Sequence, residues 1–106
     1  MSRIIINMYD EFGPGMGLPH MSDFFEPEPY NGIDKIIDYL EKGQPTFVSG
    51  KVAKDIYSGK VIPVEYCGMT DGKYSWMSVL PYYVKTYNLR LPQEFENYVL
   101  SNWETT

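Results

Sequence analysis

VIPVEYCGMTDGKYSW, residues 61–76, reads as two strands and the turn that joins them. Val61 to Gly68 is rich in β-branched and aromatic side chains, Asp71-Gly72 is a strong hairpin-turn dipeptide, and Tyr74 and Trp76 fall two residues apart on one face of the following strand. Pro63 has no amide donor, which places its strand at a sheet edge or at a bulge. Upstream, a strand-like run begins at Thr46–Val48 and continues toward Tyr57 through Gly50, with Ser58-Gly59 as the turn into Val61. The centre of the chain therefore predicts an antiparallel meander.

On either side of the meander the period changes from two to 3.6. In NGIDKIIDYLEKG, residues 31–43, Ile33, Ile36, Ile37 and Leu40 make one apolar helical face. Asn31 is the expected cap, Asp34 the second half of a capping box, and Gly43 the left-handed residue after the helix end. Leu80, Tyr83, Val84 and Tyr87 mark a second helix, with Pro81 in its first turn and Asn88 closing it in the left-handed conformation. A third helix starts at Pro92, with Glu94 in its first turn, and Phe95, Tyr98, Val99 and Trp103 share its apolar face. Arg3 to Met8 predicts a further strand, fully apolar at Ile4 to Ile6 as a central buried strand would be. The expected architecture is α+β, a small antiparallel sheet with about three helices packed on one face, in a single domain spanning residues 1–106. Trp76, Val84, Phe95 and Val99 are its expected core.

A chain of 106 residues with 43% hydrophobic content can bury roughly two-thirds of its unfolded surface, so neither disulfide nor metal is needed for folding. The single Cys67 has no internal partner, and no signal-peptide pattern opens the chain, which points to a reducing, cytoplasmic setting. No apolar run approaches the roughly 20 residues of a membrane span. The net charge of -5 argues against direct binding of nucleic acid, whose phosphates are held by Lys and Arg.

That charge is segregated. Residues 9–30, YDEFGPGMGLPHMSDFFEPEPY, hold Asp10, Glu11, Asp23, Glu26 and Glu28 with no Lys or Arg, while the remaining acids and bases balance. Gly13, Gly15 and Gly17 with Pro14, Pro19, Pro27 and Pro29 exclude regular helix or strand, yet Phe12, Phe24, Phe25 and Tyr30 are interleaved with the acids. A loop this long is functional or disordered, and a disordered tract is poor in aromatics. An acidic, aromatic loop is expected of a surface that docks onto a basic partner, the carboxylates speeding encounter and the rings anchoring the complex.

Catalytic chemistry finds little purchase. His20 is the only histidine and stands in this Gly/Pro-rich loop, and Cys67 has no Cys-x-x-Cys companion. Gly13-Pro14-Gly15-Met16-Gly17 lacks the Lys and Ser/Thr of a phosphate loop. Asp23, Glu26 and Glu28 match no calcium-loop spacing. No catalytic residue, metal ligand or cofactor is expected.

The stretch TDGKYSWMSVLPYYVKTYNLRLPQEFENYVL, residues 70–100, resembles a group of small bacterial proteins, many of them similar to immunity proteins of contact-dependent or other polymorphic toxin systems. The matching residues are Asp71, Gly72, Trp76, Leu80, Tyr82, Tyr83, Val84, Arg90, Leu91, Pro92 and Phe95. The resemblance implies a non-catalytic inhibitor that binds one cognate toxin. Joined to the charge pattern, it makes Asp10, Glu11, Asp23, Glu26 and Glu28 the expected charge contacts, with Phe24, Phe25 and Tyr30 as apolar anchors. The expected partner is a protein toxin with a basic surface, such as the cleft of a nuclease, met by a monomer or weak homo-oligomer. Two rivals stay open: a small hydrolase or transferase using His20 with loop carboxylates, and a self-associating adaptor.

Overall fold

The computed structural model describes residues 4–6, 9, 15 and 17–104. The elements are β1 (Ile4–Ile5), α1 (Ile33–Glu41), β2 (Gln44–Lys54), β3 (Val61–Thr70), β4 (Tyr74–Met77), α2 (Leu80–Tyr87) and α3 (Gln93–Glu104). A short 3-10 turn at Met21–Phe24 interrupts the long acidic segment. The sheet order is β1-β4-β3-β2; β2, β3 and β4 form the antiparallel meander, and β1 adds to β4 in parallel. None of the described helices is long and apolar enough to cross a membrane.

The β3–β4 turn forms where Asp71-Gly72 predicts it. The Asp71 carboxylate accepts the amides of Lys73 (2.9 Å) and Tyr74 (2.7 Å), and Gly72 supplies a φ of +101° that other residues rarely adopt. Thr70 closes the turn, its hydroxyl donating to the Tyr74 carbonyl at 2.6 Å. Beyond it, Tyr74 and Trp76 present their rings to Phe95 of α3, with centroids 4.9 and 6.1 Å away. The Trp76 indole N–H donates to the Leu40 carbonyl of α1 at 3.2 Å. Leu40, Leu80, Val84, Phe95 and Val99 are all fully buried on this side of the sheet, which is where the three helices pack.

Four local readings need correction. The Arg3–Met8 run yields a described strand of only two residues at the sheet edge, where Ile5 is 54% exposed and Ile6 is buried. The helices cover one face of the sheet only, so a continuous apolar run does not imply burial on both sides. Helix α1 is not capped by the Asn31 side chain; its cap is Gly32, in the left-handed conformation with φ +87°. Gly43 is not left-handed. It lies beneath the Trp76 ring, so that a Cβ there would stand 2.6 Å from a ring carbon. The β2–β3 turn is wider than Ser58-Gly59: Asp55 N–H donates to Lys60 O at 2.8 Å and Gly59 N–H to Asp55 O at 2.7 Å. For Pro63 the bulge is the outcome, since the register between β2 and β3 slips between the Val52–Glu65 and Ala53–Ile62 pairs.

Candidate docking site

The acidic segment is held against the link between α2 and α3. Met21 is fully buried and anchors the 3-10 turn, after which Phe25 is extended and bridges antiparallel to Leu89. Arg90 N–H donates to Phe24 O at 2.9 Å, Glu26 N–H to Asn88 O at 3.2 Å, and the Asn88 side-chain amide to Glu26 O at 3.1 Å. Asn88 holds φ +56°, the left-handed geometry predicted for it at the end of α2. Tyr9 and Tyr30 add hydroxyl donors to the carbonyls of Arg90 (2.9 Å) and Leu89 (2.7 Å). Residues 88–91 thus work as a strap to which Tyr9 and the stretch from Phe24 to Tyr30 are fastened by backbone and side chain alike.

The expected partner-binding residues divide accordingly. Asp10 and Glu11 lie outside the described residues, as does Phe12. Asp23, Glu26 and Glu28 are exposed along the segment. Phe24 is 38% exposed, its ring 5.6 Å from Tyr9 at a cleft of about 450 Å³ shared with Ile6, Pro19 and Leu91. Phe25 and Tyr30 are half-buried and engaged within the chain. The Phe25 ring stacks on Tyr87 at 4.6 Å and meets Tyr57 edge-on at 5.2 Å. The Arg90 guanidinium lies 4.2 Å above the Tyr30 ring, and burial first, then the charge of Glu96, pushes the Tyr30 hydroxyl well above the ordinary tyrosine range. What faces outward is therefore Asp23, Phe24, Glu26 and Glu28, with Phe25 and Tyr30 as the rivets beneath them.

Three carboxylates that sequence reasoning gave no site role are organised more tightly than those of the loop. Asp55 is 1% exposed and accepts the hydroxyls of Tyr82 and Tyr87, each at 2.7 Å, and the amides of Tyr57 (2.8 Å) and Ser58 (3.2 Å). Burial opposes its charge, but these hydrogen bonds prevail and hold its carboxyl below the ordinary value. Glu96 is buried and binds Arg90 through both oxygens, at 3.1 and 2.7 Å, while also accepting the Leu91 amide at 2.9 Å. Asp71 accepts the Tyr39 hydroxyl in addition to its turn amides. In each case the donors include backbone amides of a turn or link, joined by side chains from a helix or from the link, so the carboxylates tie elements of the fold together. A signal for Asp55 existed: an Asp two and three residues ahead of loop amides, just before Ser-Gly, is an Asx-type turn.

His20 is exposed at the start of the 3-10 turn, its carbonyl accepting the Asp23 amide at 3.1 Å. Cys67 is buried, its sulfur 3.7 Å from that of Met69. Among the described residues, no three His, Cys, Asp or Glu side chains are grouped as a metal would need. Comparison with protein-family models finds none that matches the chain, and comparisons with curated proteins and with solved structures find no significant match.

Proposed function

We propose that this protein is a non-catalytic, cytoplasmic immunity protein that binds a cognate bacterial toxin and neutralises it through the acidic ledge at Asp23–Glu28. The observation that carries the reading is a half-exposed phenylalanine, Phe24, flanked by the exposed carboxylates of Asp23, Glu26 and Glu28 on a backbone tied to residues 88–90. A segment already ordered in the free protein gives up little conformational entropy on binding, so more of the contact energy survives as affinity. The carboxylates suit a cleft lined by Lys and Arg, as in a nuclease, and would compete there with the phosphates of the substrate. The resemblance of residues 70–100 to immunity proteins supports the same class.

The test is protection of cells that produce the toxin domain encoded beside this chain's gene. Wild-type protein restores growth, and the combined variant Asp23→Asn, Phe24→Ala, Glu26→Gln, Glu28→Gln does not, although it folds. Full protection by that variant, or none by the wild type, overturns the reading.

A further inference from the structure

β2 is an edge strand of 11 residues whose side chains are all exposed except the half-buried Ala53. Among the described residues its one strand neighbour is β3, so its outer edge carries backbone groups without a ladder partner, although the Lys51 amide donates to the Ser49 hydroxyl at 3.1 Å. Apolar exposure gathers around it: Phe47, Val48 and Val52, the last 71% exposed, and Val61 and Val64 on β3. An exposed apolar strand edge is a template for another strand, and natural proteins blunt such edges with Lys, Pro and bulges. Pro45, Lys51, Lys54 and the irregular register around Gly50, whose φ is +72°, are those devices here.

The charge of the devices selects the occupant. From Gln44 to Lys54 there is no acid, and among the described residues neither Lys51 nor Lys54 pairs with one; Glu65, opposite Val52, is the only acid on β3. A second copy pairing edge to edge would bring four lysines to one seam, and like charges across a strand pair are unfavourable. The acidic segment of a second copy is no better, because Pro27 and Pro29 interrupt it and its backbone is fastened to residues 88–90. A strand with glutamate or aspartate at two positions three residues apart meets both requirements: it completes the ladder and sets one acid beside each ammonium group, because the two-residue strand period puts Lys51 and Lys54 on opposite faces. We propose that the β2 edge binds, by strand addition, an extended acidic segment of a protein partner. This surface is separate from the acidic ledge and stands whether or not the ledge binds a toxin.

The probe is a blocked nonapeptide of valine and threonine with two glutamates three residues apart, compared with the same peptide carrying lysine for glutamate. The glutamate peptide should slow hydrogen exchange at β2 amides that exchange fast in the free protein. The double variant Lys51→Glu, Lys54→Glu should weaken that peptide about tenfold and bind the lysine peptide instead. Unchanged exchange with the glutamate peptide at saturating solubility overturns the proposal. So does equal binding of the two peptides, or a sedimentation result showing the β2 edges closed by a second copy.

Discussion

The ring of Phe25 lies flat against that of Tyr87, with centroids 4.6 Å apart and an interplanar angle of 6°. Through this stack the acidic segment is tied to α2, and the Tyr87 hydroxyl passes the connection on to Asp55 at the base of the β2–β3 hairpin. One aromatic ring thus joins the candidate docking ledge to the sheet.

Phe25→Ala should therefore act on the fold, and Phe24→Ala should not. Removing the half-buried Phe25 ring should cost about 2 kcal/mol, below the 3–5 kcal/mol typical of a fully buried Phe, and should raise amide exchange from Met21 to Tyr30. Truncating the exposed Phe24 should change stability by less than about 1 kcal/mol. Urea denaturation with exchange mapping distinguishes them, and equal effects of the two variants would show that the segment is not riveted through Phe25.

Asp55 makes stability depend on pH at both ends. Its folded pKa is below the ordinary 3.8, so its contribution is complete above that value and is lost as pH falls through the lowered one. Tyr87, by its hydrogen bond to Asp55 first and burial second, is pushed from 10.0 up to about 12. A raised tyrosine stabilises below pH 10.0 and loses that contribution as pH rises toward about 12. Asp55→Asn should cost about 2 kcal/mol at neutral pH, as expected for hydrogen bonds to a charged acceptor, and should flatten both limbs. Denaturation midpoints at acid, neutral and alkaline pH check this; parallel profiles for variant and wild type would refute it.

Gly43 and Gly72 should respond to alanine for different reasons. At Gly72 there is open space, and the cost is that of forcing a side chain to φ +101°, about 1–2 kcal/mol. At Gly43 a Cβ would press on the Trp76 ring, an overpacking cost of about 1–3 kcal/mol. Only the second cost should shrink in a Trp76→Phe background, which a double-mutant cycle reads directly.

How far the sequence reached follows from the range of each interaction. The Asp71-Gly72 turn, Pro81 in the first turn of α2 and the left-handed Asn88 are set by neighbours within a few residues, and they stand as read. So do the apolar faces ending in Val84, Phe95 and Val99, because a 3.6-residue period is a local property. Two local details failed, the Asn31 cap and the Ser58-Gly59 turn, and the rest of what failed was long-range. Ile5 is exposed because the helices leave its face of the sheet open, Gly43 is required by a ring 33 residues away, and Asp55 is enclosed by tyrosines from α2. In the acidic segment, composition marked the charged positions but could not separate Phe24 from Phe25. That distinction depends on the strap at residues 88–91, whose pairing with Phe24–Glu26 no period announces.

The division between outward acids and the outward ring gives a kinetic test of the ledge. Exposed charges steer encounter over roughly 8–10 Å at physiological ionic strength, so association with a basic partner should slow as salt rises. Replacing Asp23, Glu26 and Glu28 together by their amides should lower the on-rate at low salt by about tenfold or more and remove most of its salt dependence, with the off-rate little changed. Phe24→Ala should leave association nearly intact and raise the off-rate, since a desolvated aromatic anchor holds the complex once formed, at a cost on the order of 2 kcal/mol. Surface-plasmon kinetics against the toxin domain, with the fold of each variant checked by circular dichroism, separates the two effects. If both variants associate and dissociate as the wild type does, Asp23–Glu28 is not the interface, and binding must run through another surface.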